Sequence, residues 1–361
     1  MTSTTDHNRT YVRSAFKNLL SLFSLIFLSL PDEKVKKILR ALLKARGRYL
    51  SELGNEGKYA LNALNSVKAE NVISAIEEQA KKLLKVRDKR VAVDFHAIPQ
   101  YHKSKNLLAR IKPTKGTTYG LVQIAIYLMG RVKGFISVQP VTEKNVTKNF
   151  KEIFTNLERQ VKELGFKLTI IFADREFAVN EVLSFLVERG VDFVIAARLN
   201  MYKNYLKELE EINVTYAGVT YTGFLVKRHR SGAYLVILRE GDRLVSFLVR
   251  SRVSEYEAIF LAEMYRRRWG IETAFRSLES FRIRTRTCDV RKELVIVLIS
   301  YLIVNAWFIL SSRRRIKLRE FADEMISLSS TEMRGEGSQT SSKSYLDYPV
   351  CLYTRLLVYL N

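Results

Sequence analysis

Residues 265–279 read YRRRWGIETAFRSLE, and the fold follows from how this stretch is wound. Taken as one helix at about 100° per residue, it brings Tyr265, Arg268, Glu272 and Glu279 within about 60° of one another. An apolar stripe of Phe260, Met264, Ile271, Phe275 and Leu278 lies about 90° round from them. One face is therefore expected to rest on a core while its neighbour presents Tyr, Arg and Glu to a cleft. A surface helix has no need of such an arrangement. A carboxylate set among arginines on a core helix calls for partner carboxylates and an anionic ligand.

Composition narrows the ligand. The 361 residues are 47% hydrophobic and 11% aromatic, which excludes a disordered chain. Lys and Arg number 60 against 37 Asp and Glu, a net charge of +23. So large a charge favours a polyanionic partner, nucleic acid first and an acidic membrane surface second. Two isolated cysteines, Cys288 and Cys351, make no disulfide framework. His7, His96, His102 and His229 have no zinc-ligand spacing. A reducing, cytoplasmic setting is expected. Two apolar runs, 15–30 and 294–310, bear on the membrane alternative. The second is at the short limit of the roughly 17–25 residues that span a bilayer. It is flanked by basic residues at both ends and contains Asn305, so a core helix is expected.

Residues 1–89 carry helical patterns and are expected to bind DNA ends. Within them, KVKKILRALLKARGR at 34–48 reads either as a solvated amphipathic helix or as a DNA-contacting one. At Arg90 the period changes. RVAVDFHAI, then 118–129 and 132–141, read as strands, and 143–164 as an amphipathic helix. LTIIFA at 168–173 is a fully apolar strand. A helix at 176–189 and a strand at 191–197 follow. Residues 90–198 thus form the first part of a catalytic domain, 199–252 a β-rich insertion, and 253–312 the second part. Ser254 with Glu257 is a capping-box pattern that starts the helix quoted above. The tail 313–361 is expected to be partly disordered, from the small polar residues at 329–344.

Asp94 lies near the end of the first strand and Asp174 follows LTIIFA. Ends of parallel strands are where open α/β sheets build their sites. With Glu272 they make three hard oxygen donors, which suit Mg²⁺ or Mn²⁺ rather than zinc. Two such ions roughly 3.5–4 Å apart serve phosphoryl transfer, and the arginines would hold phosphates. His96, two residues beyond Asp94, reads as a group behind the site or as a packed, hydrogen-bonded histidine.

This order of elements resembles the ribonuclease H-like fold of DDE transposases and integrases. The sequence is also similar to insertion-sequence transposases whose signature reads Tyr, two residues, Arg, three residues, Glu, six residues, Lys. Tyr265, Arg268 and Glu272 match that spacing, while Glu279 stands where the family has Lys. VAVDFHAIP and IIFADREF resemble the family's two aspartate strands, and the resemblance covers about 85–312. It implies an α/β fold: a mixed sheet flanked by helices, with a helical N-terminal region and a β-rich insertion. It implies an enzyme that cuts the ends of its mobile element and joins the 3′-hydroxyls to target DNA. Asp94, Asp174 and Glu272 would be catalytic and hold Mg²⁺, with Mn²⁺ able to replace it. Tyr265 and Arg268 would grip phosphate, and Arg276 or Arg282 would stand in for the family Lys. Trp269 would stack on an unpaired base or pack beside its helix. Arg175, and Lys103 and Lys105 in a basic loop, would contact DNA. The partners implied are double-stranded DNA, as terminal inverted repeats and target, and a second copy of the chain; the place is the nucleoid. Two other readings stay open: a DNA-binding relative that no longer cuts, and a membrane-associated basic protein.

Overall fold

A computed structural model describes residues 4–85, 90–101, 106–114, 116–165, 167–287 and 289–331. Four helices come first: α1 (Thr4–Ile26), α2 (Asp32–Lys44), α3 (Gly54–Ala63) and α4 (Ala69–Leu84). At Arg90 the chain turns to strands β1 (Arg90–Pro99), β2 (Ala109–Thr114), β3 (Thr117–Leu128) and β4 (Gly134–Val141). Then come α5 (Val146–Glu163), β5 (Ile170–Ala173), α6 (Asn180–Glu188) and β6 (Phe193–Ala196). A short α7 (Leu199–Tyr202) leads into β7 (Glu210–Tyr216), β8 (Val219–Arg228), β9 (Tyr234–Glu240) and β10 (Arg243–Val249). Helices α8 (Glu255–Arg266), α9 (Trp269–Phe281), α10 (Val290–Ser311) and α11 (Leu318–Thr331) complete the described chain.

All ten strands join one sheet in the order β2-β3-β1-β5-β6-β10-β9-β8-β7, with β4 also paired to β3. β1–β5 and β5–β6 are parallel and the other pairs antiparallel. This is the mixed sheet flanked by helices that the sequence led us to expect. Strand alternation sorts side chains between two cores. Val91 and Val93 face the layer of α5 and α6, while Ala92 and Ile98 face a core shared with α9, α10 and the N-terminal helices.

Two expectations need correction and one needs extension. Beyond the basic loop expected at Lys103 and Lys105, the sequence suggested no strand between RVAVDFHAI and 118, yet residues 109–114 form β2, which pairs with the start of β3. Its sequence, ARIKPT, has a proline and little apolar alternation, so only an edge position suits it. The β-rich segment 199–252 continues the catalytic sheet, because β10 pairs with β6 from Phe247↔Ala196 to Val249↔Val194. The stretch 265–279 is not one helix. α8 ends at Arg266 and α9 starts at Trp269, joined by tight i→i−3 bonds from Arg268 N to Tyr265 O and from Ile271 N to Arg268 O. The break takes α8 off the register of α9, and Phe260, expected on the core stripe, is 50% exposed. The capping box at Ser254 is formed as read. Lys103, Lys105 and the segment 332–361 lie outside the described residues.

The basic helix α2 is largely neutralised from within. Lys36 pairs with Glu33, and Arg40 and Lys44 both reach Glu56 of α3, at 2.6 and 2.9 Å. Among the described residues, α10 is the one helix long and apolar enough to cross a membrane, and 83% of its apolar window is buried inside the protein. Its Asn305 has a task there. Asn305 Oδ1 accepts from Phe135 N at 2.7 Å and its Nδ2 donates to Phe135 O at 2.7 Å, riveting α10 to β4. Gly134 precedes that rivet with φ +158, and a Cβ there would lie 2.8 Å from Leu83 and 3.0 Å from Asn305. Replacing Asn305 by Leu orphans two buried backbone groups and should cost roughly 2–4 kcal/mol. Urea unfolding of Asn305→Leu against wild type measures this; an unchanged midpoint would refute the rivet.

Candidate active site

The parallel register Val93↔Ala173 places the next residues, Asp94 and Asp174, on neighbouring strands roughly 4.8 Å apart along the hydrogen-bond direction. Asp94 is still within β1, opposite Ala125 of β3. Its Oδ1 accepts from the Phe95 backbone N at 2.8 Å. Asp174 has left β5 and caps the single turn Arg175–Phe177, accepting from Glu176 N at 2.8 Å.

The third carboxylate arrives on α9. Ile271, Ala274 and Leu278 bury one side of that helix. Phe275 stacks on His96 of β1 (centroids 4.7 Å apart) and on Phe135 of β4 (5.5 Å). This docking brings the first turn of α9, with Glu272, over the end of β1. Between the acids sits Arg268, with a side chain only 11% exposed. Its Nη1 donates to Asp94 Oδ2 at 3.1 Å and its Nη2 to Glu272 Oε1 at 2.6 Å. Tyr265 covers the guanidinium, 5.5 Å from its ring centre.

The electrostatics follow from this crowding. Burial and then the charge of Asp174 push the Asp94 carboxyl from 3.8 to about 7; Arg268 and the Phe95 N–H oppose this, and Glu272 adds to it. Burial raises the Tyr265 hydroxyl above its ordinary value, with Arg268 opposing and the two aspartates adding. Arg268 is itself raised despite its burial, because Tyr265, Asp94, Glu272 and Asp174 all favour its charge.

Asp94 thus stands beside Asp174 through the strand register and is tied to Glu272 through Arg268. The three do not close on a single point: among the described residues no three His, Cys, Asp or Glu side chains converge as a metal cage. The donor set nonetheless suits a hard divalent cation. It is all oxygen, and a bound cation would offset both the burial and the neighbouring carboxylate charge that lift Asp94.

Other expected residues fall around this centre. Trp269, expected either to stack on a base or to pack beside the helix, is 62% exposed, with the exposed Arg276 guanidinium 5.3 Å from its ring. Arg175 is exposed beside Asp174, and its backbone carbonyl accepts from Arg198 Nε at 3.0 Å. The run Arg266–Arg267–Arg268 fans out at the helix break. Arg266 bonds Glu263 and Glu240, Arg268 bonds the site acids, and Arg267 lies on the opposite wall of α9.

His96 is a packed, hydrogen-bonded histidine. Its Nδ1 lies 3.2 Å from both Gln123 Oε1 and the Tyr301 hydroxyl, and its Nε2 lies 3.1 Å from Glu279 Oε1. Glu279 is therefore not a stray acid facing the ligand. Burial works against its charge, but His96, Arg282 and Arg284 hold the carboxyl below its ordinary value. Two rungs join β1 to α9, Asp94–Arg268–Glu272 and His96–Glu279. The sequence carried the signal for the second rung. His96 repeats the strand face of Asp94, and Glu279 repeats the helix face of Glu272 two turns on.

A strand-end aspartate pair crossed by a glutamate helix is the arrangement in which a family can be tested. The family model described as Transposase DDE domain matches residues 87–303, about three fifths of the chain. The chain belongs to the DDE transposase family. Comparison with curated proteins returns no match. Among solved structures, a piggyBac transposase in a synaptic complex with hairpin DNA is similar, with a TM-score of 0.60 and 12% identity. The alignment covers 92% of this chain and 83% of that one, so the likeness of fold extends well beyond the segment matched by the family. A DDE transposase it is by family.

The strain at Asp94 has a measurable sign. Its folded pKa of about 7 lies above the ordinary 3.8, so the folded chain binds the extra proton between those values. Stability therefore falls as pH rises from about 4 to 7, by roughly 4 kcal/mol at most. Asp94→Asn should raise the melting temperature at pH 8 and lose that advantage at pH 4. Thermal unfolding at the two pH values tests this; a variant less stable than wild type at pH 8 would sink it.

Proposed function

We propose that this DDE transposase cleaves the ends of its mobile element and joins the exposed 3′-hydroxyls to target DNA, acting as a metal-dependent endonuclease and strand transferase. The observation that supports the reading is the β1–β5 register that sets Asp94 beside Asp174, with Arg268 tying Asp94 to Glu272. Asp94, Asp174 and Glu272 would hold divalent cations, Mg²⁺ with Mn²⁺ able to replace it. When bound, such ions activate the attacking oxygen and neutralise the leaving one.

The chain's own groups handle the DNA. Arg268 offers a planar guanidinium at the acid cluster, suited to paired phosphate oxygens. The Tyr265 hydroxyl, kept protonated by its burial, donates to a non-bridging oxygen. Trp269 and Arg276 give an exposed aromatic and cation pair on which an unpaired base at the element end can stack. Arg175, Lys103 and Lys105 contact the backbone, and the helical region 1–89 recognises the terminal inverted repeat. Tyr265, Arg268 and Glu272 act as the family's signature residues. The duty of its terminal Lys passes to Arg276, since Glu279 is engaged by His96. One copy of the chain serves each element end, making a homodimer on double-stranded DNA. This work is done on the nucleoid, in the cytoplasm, without stable membrane association; the burial of α10 supports that.

The test is cleavage of a labelled element end by purified protein with Mn²⁺. Asp94→Ala, Asp174→Ala and Glu272→Ala should each reduce nicking by about three orders of magnitude or more while end binding persists. Normal cleavage by Asp174→Ala would overturn the site. Tight binding with no nicking by wild type would favour the reading of a DNA-binding relative that no longer cuts.

A further inference from the structure

On the side of α9 turned away from Glu272 lies a trough that the catalytic centre does not use. It begins as a cavity of about 500 Å³ beside Gly270, Thr273 and Ser277 of α9. Gly130, Arg131, Lys133 and Trp307 also line a second cavity of about 810 Å³, which runs on along the turn between α10 and α11. The α9 positions on its wall lie roughly 100–200° round the helix from Glu272, so α9 divides the trough from the acids.

The lining is cationic along its whole length. Arg267 stands at one end, Arg131 and Lys133 in the middle, and Arg313, Arg315 and Lys317 at the other; all six are exposed. Among the described residues none of the six makes an ion pair with a carboxylate, whereas neighbouring Arg314 is held by Glu324 at 3.2 Å. Among the described residues the one carboxylate on the lining is Glu320, which accepts from the Lys317 backbone N at 3.2 Å. The middle is braced rather than loose. Lys133 lies over the Phe308 ring at 5.5 Å, and Trp307 Nε1 is fixed to Ile316 O at 2.9 Å. Elsewhere this chain spends cations on internal acids, as at Arg40, Lys44 and Arg266. Here six remain unmatched in one concave track.

We infer that this trough is a nucleic-acid track: it seats the phosphate backbone of a DNA duplex on the far side of α9 from the carboxylates. A concave row of spaced, unpaired cations matches the spacing of charge along a backbone. A membrane surface calls instead for an exposed apolar face beside the cations, and the apolar helix here, α10, is buried. The inference deepens the proposed function and rests on it for the choice of DNA as the polyanion.

The test uses the full chain and a labelled duplex of random sequence, with the dissociation constant followed across salt concentrations. One variant replaces Arg131, Lys133, Arg313, Arg315 and Lys317 by Ala. A control of equal charge replaces Lys162, Lys167, Lys207, Arg243 and Arg252 by Ala, all exposed and none of them on the trough. Each lost phosphate contact lowers the slope of log affinity against log salt by about 0.9. The trough variant should lose a slope of about three to four and roughly tenfold or more in affinity at low salt, and the control much less. An unchanged slope in the trough variant, or an equal drop in the control, would overturn the assignment. So would wild type that binds phosphatidylserine vesicles through these residues and binds no duplex. Nicking by wild type is read separately. Wild type that nicks, with a trough variant of unchanged slope, removes only the trough. A trough-dependent slope without any nicking removes the enzyme and leaves the trough.

Discussion

Like charges held together against their repulsion govern this molecule. Asp94, Asp174 and Glu272 come from two strand ends and a helix far apart in the chain, and burial together with the charge of Asp174 lifts Asp94 to about 7. Left alone they would drive α9 off the sheet. Arg268 prevents this by bonding Asp94 and Glu272 at once. The rest of the architecture holds that bridge in place. The parallel pairing of β1 with β5 sets the aspartates side by side, and Phe275 locks α9 onto His96 and Phe135. Asn305 then fixes α10 to the backbone of the same Phe135. A centre so strained costs stability, as sites built to receive a cation and an anionic substrate do.

Much of this was legible in the residues. The change of period at Arg90, the apolar LTIIFA run before Asp174 and the Ser254–Glu257 cap are local signals, and local signals survive in sequence. The 294–310 run read as a core helix because Asn305 and flanking charges on both sides contradicted a membrane span. What stayed hidden was set by partners distant in the chain. β2 is a strand because the long β3 offers it an edge, not because ARIKPT favours one. The joining of 199–252 to the main sheet depends on Phe247 meeting Ala196. The break at Arg267–Arg268 has no proline to announce it; the nearby Gly270 N–H bonds Arg267 O at 3.0 Å, and Arg268 keeps helical φ and ψ of −53 and −28, so the periodicity of the residues barely marks it.

That break also sorts charge. Three consecutive arginines of identical chemistry end in three settings: a carboxylate pair at Glu263 and Glu240, a basic trough, and an acid centre. Net charge alone could only say that a polyanion was due. The distribution says more: Arg40, Lys44 and Arg266 are matched by internal acids, Arg268 is held among the site acids, and the six trough cations have no carboxylate partner among the described residues. Glu279 makes the same point with the opposite sign. At the position where the resembled family has Lys, its charge is already engaged by His96 and Arg282.

The helices at 4–84 and those at 290–331 share one core. Phe16, Phe23, Leu39 and Ile76 lie in the same buried cluster as Leu298, Tyr301, Phe321 and Met325. During synthesis the earlier helices emerge long before the later ones, and the part of their apolar surface that meets α10 and α11 stays uncovered until those follow. Domains usually fold from the N-terminal side as the chain grows. Here the first-made helices can pack on one another and on β4 early, but α2 and α4 gain their last neighbours only from α10 and α11, after the whole sheet has been made. The core begun first is therefore the core finished last.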